Sequence, residues 1–201
     1  MPPLSRSVRT ALIVAVFLFL PAMALAQNKD GSAELGIAYT FNHFDTQTAL
    51  SYRVSPSIML GYNFTKRHGG ELVFTSSTAT PRKGESFQVD VDVVRVGYIF
   101  NAYPKPKVVS FFRFGFGAFV LSPEDHTSGP TRLEEGKSSF MIYSGGGFRW
   151  FVSSKVGIRL AASLDFIDAS KGFANADVQA TGDLGVVFLM GGHEPTEKPA
   201  N

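Results

Sequence analysis

The stretch Val108-Val-Ser-Phe-Phe-Arg-Phe-Gly-Phe-Gly-Ala-Phe-Val120 decides how the rest of the chain is read. Taken every second residue, Val108, Ser110, Phe112, Phe114, Phe116, Ala118 and Val120 form one set, and Arg113, Gly115 and Gly117 belong to the other. A β-strand sends successive side chains to opposite faces, so one face here is bulky and apolar while the other carries a charge and small residues. The same dyad pattern recurs through the sequence, and no helical pattern is available to cover the apolar faces. Together these features predict a barrel whose apolar side faces lipid.

Working outward, the alternation predicts seven further strands. Over 33–43, Leu35, Ile37, Tyr39 and Phe41 oppose Glu34, Gly36, Ala38, Thr40 and Asn42; over 57–64, Ile58, Leu60, Tyr62 and Phe64 oppose Met59, Gly61 and Asn63. A short strand is predicted over 71–76, where Val73 disturbs the pattern. The strand over 86–100 changes phase, with apolar residues odd at Phe87, Val89 and Val91 and even from Val94 onward, which predicts either a β-bulge near Val93-Val94 or an extracellular extension that twists away. Strands over 140–151, 156–166 and 178–190 complete a set of eight. The alternation over 156–166 is the clearest, with Val156, Ile158, Leu160, Ala162, Leu164 and Phe166 against Gly157, Arg159, Ala161, Ser163 and Asp165.

Residues 1–26 read as a secretory signal peptide. Arg6 and Arg9 form a basic start, an apolar run of about ten residues follows, and Ala24-Leu25-Ala26 is a small-x-small cleavage site. That apolar run is short of the ~20 residues a spanning helix needs. Removing Arg6 and Arg9 takes the 19 basic residues to 17, matching the 17 acids, so the formal +2 belongs to the signal. A balanced mature charge gives no reason to expect nucleic acid. Cysteine is absent, which excludes disulfides and thiolate metal sites. Residues 27–190 are the predicted barrel, and 191–201 a polar, disordered periplasmic tail.

Predicted connections alternate in length, long after the first, third, fifth and seventh strands and short after the others. Outer-membrane barrels have short periplasmic turns and longer outer loops, so the amino terminus is predicted on the periplasmic side. Aromatics cluster just before the short turns, at Tyr62, Phe64, Tyr98, Phe100, Phe148 and Trp150, with Phe188 near the last strand's end. Such residues favour the headgroup boundary. A soluble sandwich or lipocalin-like barrel would instead turn the apolar set inward.

At this level of detail the chain resembles the small eight-stranded outer-membrane barrels of the OmpA/OmpX-like type. The residues that carry the resemblance are Phe112-Arg-Phe-Gly-Phe-Gly-Ala118, Gly145-Gly-Gly-Phe-Arg-Trp-Phe151 with Val156-Gly-Ile-Arg-Leu160 after it, and the last strand. The resemblance implies an all-β, antiparallel, up-and-down transmembrane barrel in a bacterial outer membrane. It further implies that Asp183, Gly185, Phe188 and Met190 form an assembly signal for the barrel-assembly machinery; Met190 stands where an aromatic is usual. The family includes structural, adhesive, pore-like and enzymatic members, so it leaves activity open.

On these phases Arg95, Arg113, Arg149 and Arg159 point into the lumen, and so do Glu34, Glu71, Asp165 and Asp183. Buried charges must be paired. The expected role of this set is an internal ion-pair network that fills the barrel and fixes strand register; the alternative is a narrow gated ion path. A His126-Thr-Ser128 element with Glu134 and Glu135 has the residue types of a nucleophile, a base and an orienting carboxylate, as in barrel-shaped lipid A deacylases. It falls in a Pro/Gly-rich loop, which favours ordinary loop polarity. No phosphate loop, dinucleotide fingerprint or metal-ligand spacing is present, so no cofactor is expected. The expected role is structural or interactive, through loops around 44–56, 77–86, 122–138 and 168–177, with outer-membrane lipid as the solvent.

Overall fold

β-Branched and aromatic residues alternating with small and polar ones favour a pleated surface with two unlike faces. The computed structural model describes residues 30–43, 53–79, 89–104, 107–123, 137–168 and 177–193. They form eight strands: β1 (Asp30–His43), β2 (Arg53–Asn63), β3 (His68–Ala79), β4 (Val89–Pro104), β5 (Val108–Pro123), β6 (Lys137–Phe151), β7 (Val156–Ile167) and β8 (Asp177–His193). Each pairs antiparallel with its sequence neighbours, and β8 pairs with β1 from Ala33↔Met190 to His43↔Ala180, closing the barrel. Closure leaves no unpaired edge, as a backbone surrounded by hydrocarbon requires.

The two faces separate by chemistry. Phe112 and Phe116 are 63% and 57% exposed on the outer wall, while Arg113 between them is 1% exposed. Leu35, Ile37, Ile58, Leu60, Phe148, Trp150, Leu160 and Leu184 are likewise exposed. An apolar band this large would not be stable in water and marks a lipid-facing surface. The short turns and both ends of the strand series lie at one end of the barrel.

Several strand limits differ from those predicted. β1 begins at Asp30, and β2 begins at Arg53, within the loop predicted over 44–56, where the spacing of Tyr52 and Val54 also allows a strand extension. β3 is 12 residues long, because Gly69 and Gly70 extend it and Val73 lies on the buried face with Glu71 and Thr75. The predicted bulge at Val93-Val94 is absent: Val93↔Phe119 and Val94↔Ala118 are consecutive pairs, and the register shifts instead between Asn101 and Tyr103. The alternation does not slip. Val91 and Val93 are buried on the inner wall, in phase with Arg95. Asp90 and Asp92 lie on the opposite face, and Asp90 accepts a hydrogen bond from Thr78 at 2.9 Å. β8 runs three residues past its predicted end, pairing Ser32↔Gly191 and Asp30↔His193, so the tail cannot begin at 191. The signal over 1–26 and the segment after His193 lie outside the described residues.

Glycine on the inner wall makes room for large side chains. A Cβ on Gly97 would stand 2.0 Å from the Tyr143 hydroxyl and 2.8 Å from the Phe114 carbonyl oxygen, and one on Gly115 would stand 2.9 Å from the Tyr143 ring. The two glycines thus form the slot that holds Tyr143. Gly97→Ala is expected to destabilise the barrel by about 1–3 kcal/mol by overpacking, read as a fall in the urea midpoint, and by less in a Tyr143→Ala background.

Candidate functional site

The lumen is built by one residue in two from every strand. Glu34 (β1), Glu71 (β3), Arg95 (β4), Arg113 (β5), Arg149 (β6), Arg159 and Asp165 (β7) and Asp183 (β8) are all buried. Four arginines face four carboxylates, so the set is neutral as a whole. Their placement is lopsided: the arginines come from four consecutive strands, β4 to β7, and three of the four acids from β8, β1 and β3. Opposite charges therefore meet across the barrel rather than along one strand.

The pairs fall into two groups. Arg149 Nε and Arg159 Nη1 approach Glu34 Oε1 at 3.4 and 3.5 Å; Arg159 Nη2 bonds Glu71 Oε2 at 2.5 Å; Arg113 lies 3.7 Å from Glu71 and 2.6 Å from Asp183. Arg95 pairs with Asp165 at 2.5 Å. Ser163 links the groups, accepting from Arg113 at 3.1 Å and donating to Asp165 at 3.4 Å. Arg149 and Arg159 are register partners across β6 and β7. Two like charges side by side would repel, but Glu34 sits against both, and the Phe111 ring lies under both guanidinium groups at 4.8 and 4.7 Å. A ring face is an acceptable neighbour for a cation with few waters.

Hydroxyls and amides complete the filling. Thr40, Ser57 and Thr75 form a ladder across β1, β2 and β3 at 2.5 and 2.8 Å, and Thr40 donates to Asp183 at 2.7 Å. Ser163 meets Thr181 at 2.6 Å, Asn42 donates to Ser55 at 3.1 Å, and Gln179 donates to Asn42 at 3.0 Å. Tyr143 donates to Glu71 at 3.3 Å, and Arg149 donates to Asn101 at 3.3 Å. Apolar residues close the remaining space: Ala38, Met59, Val73, Val109, Phe151, Val187 and Leu189 pack in one cluster, and Ile99, Phe111 and Ala161 in another.

The sequence reading placed the eight charges on the inner wall but did not single out Phe111, Tyr143, Asn101 and Thr40 as their partners. The signal available was phase, since Phe111 shares its face with Arg113, and Tyr143 with Arg149. Tyr62, Phe64, Phe148, Trp150 and Phe188 are exposed on the outer wall, and Tyr98 and Phe100 are half-buried there beside His68. Asp183 and Gly185 turn inward, whereas Phe188 and Met190 are exposed outside. His126, Ser128, Glu134 and Glu135 lie outside the described residues.

A closed, antiparallel, up-and-down barrel of eight strands with an apolar outer wall and a filled polar lumen is the fold of the small eight-stranded outer-membrane β-barrels. No family model matches the sequence, and no curated protein matches it. Among solved structures, the chain is similar to the N-terminal β-barrel domain of Pseudomonas aeruginosa OprF, with a TM-score of 0.55 and 13% identity over 81% of this chain and 99% of that one. It is similar to the outer membrane protein OprG of Pseudomonas aeruginosa, with a TM-score of 0.57 and 10% identity over 83% and 99%. Neisserial surface protein A, NspA, gives 0.53 and 12% over 79% and 95%. At these identities the likeness is one of fold.

Proposed function

We propose that the protein is an integral barrel of a bacterial outer membrane with a structural or surface-interaction role. It supports envelope integrity and presents the connections after β1, β3, β5 and β7, over 44–52, 80–88, 124–136 and 168–176, to partners outside the cell, while its lumen stays shut. The observation that supports this reading is the neutral lattice of Arg95, Arg113, Arg149 and Arg159 with Glu34, Glu71, Asp165 and Asp183, each buried and held across the barrel. An eight-stranded interior is just wide enough for its side chains to fill. A conducting path would need an open pore past a ring of charge, whereas here the charged groups reach one another across the barrel.

The route to the membrane in this reading is export by a signal cleaved after Ala26, then folding by the barrel-assembly machinery. That machinery would read the last strand through Asp183, Gly185, Phe188 and Met190. Reconstituted protein in liposomes is expected to release neither trapped potassium nor a small fluorescent anion above the rate of empty vesicles. A steady, protein-dependent potassium flux would replace this reading with the narrow ion path.

A further inference from the structure

We propose that the outer wall over β3 to β6 binds one anionic phospholipid of the leaflet at the short-turn end, with its acyl chain in an apolar groove and its phosphate on the β2–β3 turn. This rests on the reading that the barrel spans a membrane. The groove has a volume of about 630 Å³ and is walled on the outside by Phe64, Val96, Tyr98, Phe114, Phe116 and Ile142. It exists because Gly70 places no side chain on the outer face between its register partners Tyr62 and Tyr98. Aromatic pairs stand at both ends: Tyr98 and Phe114 with ring centres 5.3 Å apart, and Phe116 and Phe140 at 6.5 Å.

The groove has the length and direction of a chain in one leaflet. From Gly70 the register steps across Tyr98 and Phe114 to Ser144, and Ile142 and Phe140 lie further toward the long-loop end of β6. Three strand spacings of ~4.8 Å plus a few residues of strand rise give roughly 15–20 Å. That is close to half of a hydrocarbon core about 30 Å thick. Strands tilted near 40° carry this diagonal up the barrel as well as around it.

The headgroup end is basic and fixed. Lys66, Arg67 and His68 form the turn, and Arg67 and His68 are exposed. Thr65 Oγ1 accepts from the Arg67 and His68 amides at 3.2 and 3.0 Å. Asn101 of β4 donates to the Arg67 carbonyl at 2.7 Å and to the Lys66 carbonyl at 3.1 Å, so the turn is tied to the strand that floors the groove. His68 Nδ1 is hydrogen-bonded to the Tyr98 hydroxyl, joining the turn to the groove's rim. None of the segments 64–68, 101–107 and 152–155 contains an acid, whereas they contain Lys66, Arg67, Lys105, Lys107 and Lys155. The longer connections are mixed, with Asp45, Glu85, Glu124, Asp125, Glu134 and Glu135 beside Arg82, Lys83, Arg132 and Lys171, so the all-basic character belongs to the short-turn end. Positive charge at the headgroup level beside an acyl groove fits an anionic phospholipid.

The test is native mass spectrometry of the folded protein in detergent, titrated with phosphatidylglycerol or with phosphatidylcholine of the same chains. One phosphatidylglycerol adduct is expected at about tenfold lower concentration than the phosphatidylcholine adduct. Arg67→Ala should bring the two lipids level. Gly70→Leu should abolish the adduct by filling the groove; a Cβ there meets nothing closer than the Phe64 ring at 3.4 Å. Val96→Phe serves the same purpose if Gly70→Leu does not fold, judged by the mobility of unboiled protein. Equal binding of both lipids, or an unchanged adduct in a folded groove-filling variant, overturns the site. A protein that inserts into vesicles yet shows either result keeps the barrel reading; one that fails to insert loses both.

Discussion

Glu71→Ala is expected to lower the unfolding free energy of the barrel by about 3–5 kcal/mol, the cost of leaving a buried charge without its partner. Glu71 joins more of the lumen than any other single carboxylate in these pairs. It holds Arg159 at 2.5 Å, lies 3.7 Å from Arg113, and accepts from Tyr143 at 3.3 Å. Without it, Glu34 at the longer distance is the carboxylate left to Arg159, while Arg149 still needs that same group. Arginine cannot shed its proton to relieve the imbalance. Urea unfolding in detergent micelles or bilayers, followed by tryptophan fluorescence, measures the loss. A double variant, Glu71→Leu with Arg159→Leu, is expected to cost less than the two single changes summed, because removing both charges removes the uncompensated one. Additive costs would mean that the two groups do not form a pair.

Phe116→Arg is expected to cost about 2–4 kcal/mol, and Val108→Arg about 0–1 kcal/mol. Phe116 sits at the middle of β5 and Val108 at its first residue, and both are exposed on the outer wall. In water the two substitutions would be nearly equivalent, since surface changes away from special features stay within about ±0.5 kcal/mol. In a bilayer the guanidinium at mid-height meets hydrocarbon, while the one near the turn reaches the headgroups. The quantity of interest is thus the difference between the two positions, measured in lipid and under one set of conditions. Equal small costs would contradict a lipid-facing wall.

The sequence makes the two-faced character of each strand legible because phenylalanine and arginine are never mistaken for one another. In β5 and β7 the alternation of Phe112, Phe114 and Phe116 with Arg113, or of Ile158 and Leu160 with Arg159, assigns both walls without ambiguity. It fails where the inner wall is itself apolar. Val91 and Val93 look the same whether they meet lipid or the barrel's interior, so the alternation of β4 suggests a bulge it does not have, and β3 looks short because Gly69 and Gly70 carry a turn signal although they pair in the strand. The true shift, at Asn101 and Tyr103, lies beside a proline-containing turn where strand and turn signals overlap. Partner choice in the lumen was out of reach for a different reason. Glu34 reaches Arg149 and Arg159 from strands that are not its neighbours, and that pairing depends on how the closed barrel staggers its strands. In sequence, Lys66, Arg67 and His68 are simply a basic turn; only its position beside Gly70 and Tyr98 gives the charge a neighbour to work with.

The chain has no cysteine, so each cysteine introduced is a unique attachment point. Spin labels at Phe114→Cys, Ile158→Cys and Leu160→Cys in bilayer-reconstituted protein report directly on what surrounds the outer wall. The account predicts relaxation by molecular oxygen, which concentrates in hydrocarbon, and protection from a water-soluble nickel chelate. Labels that collide freely with the chelate, or that are immobile and shielded from both reagents, would contradict it.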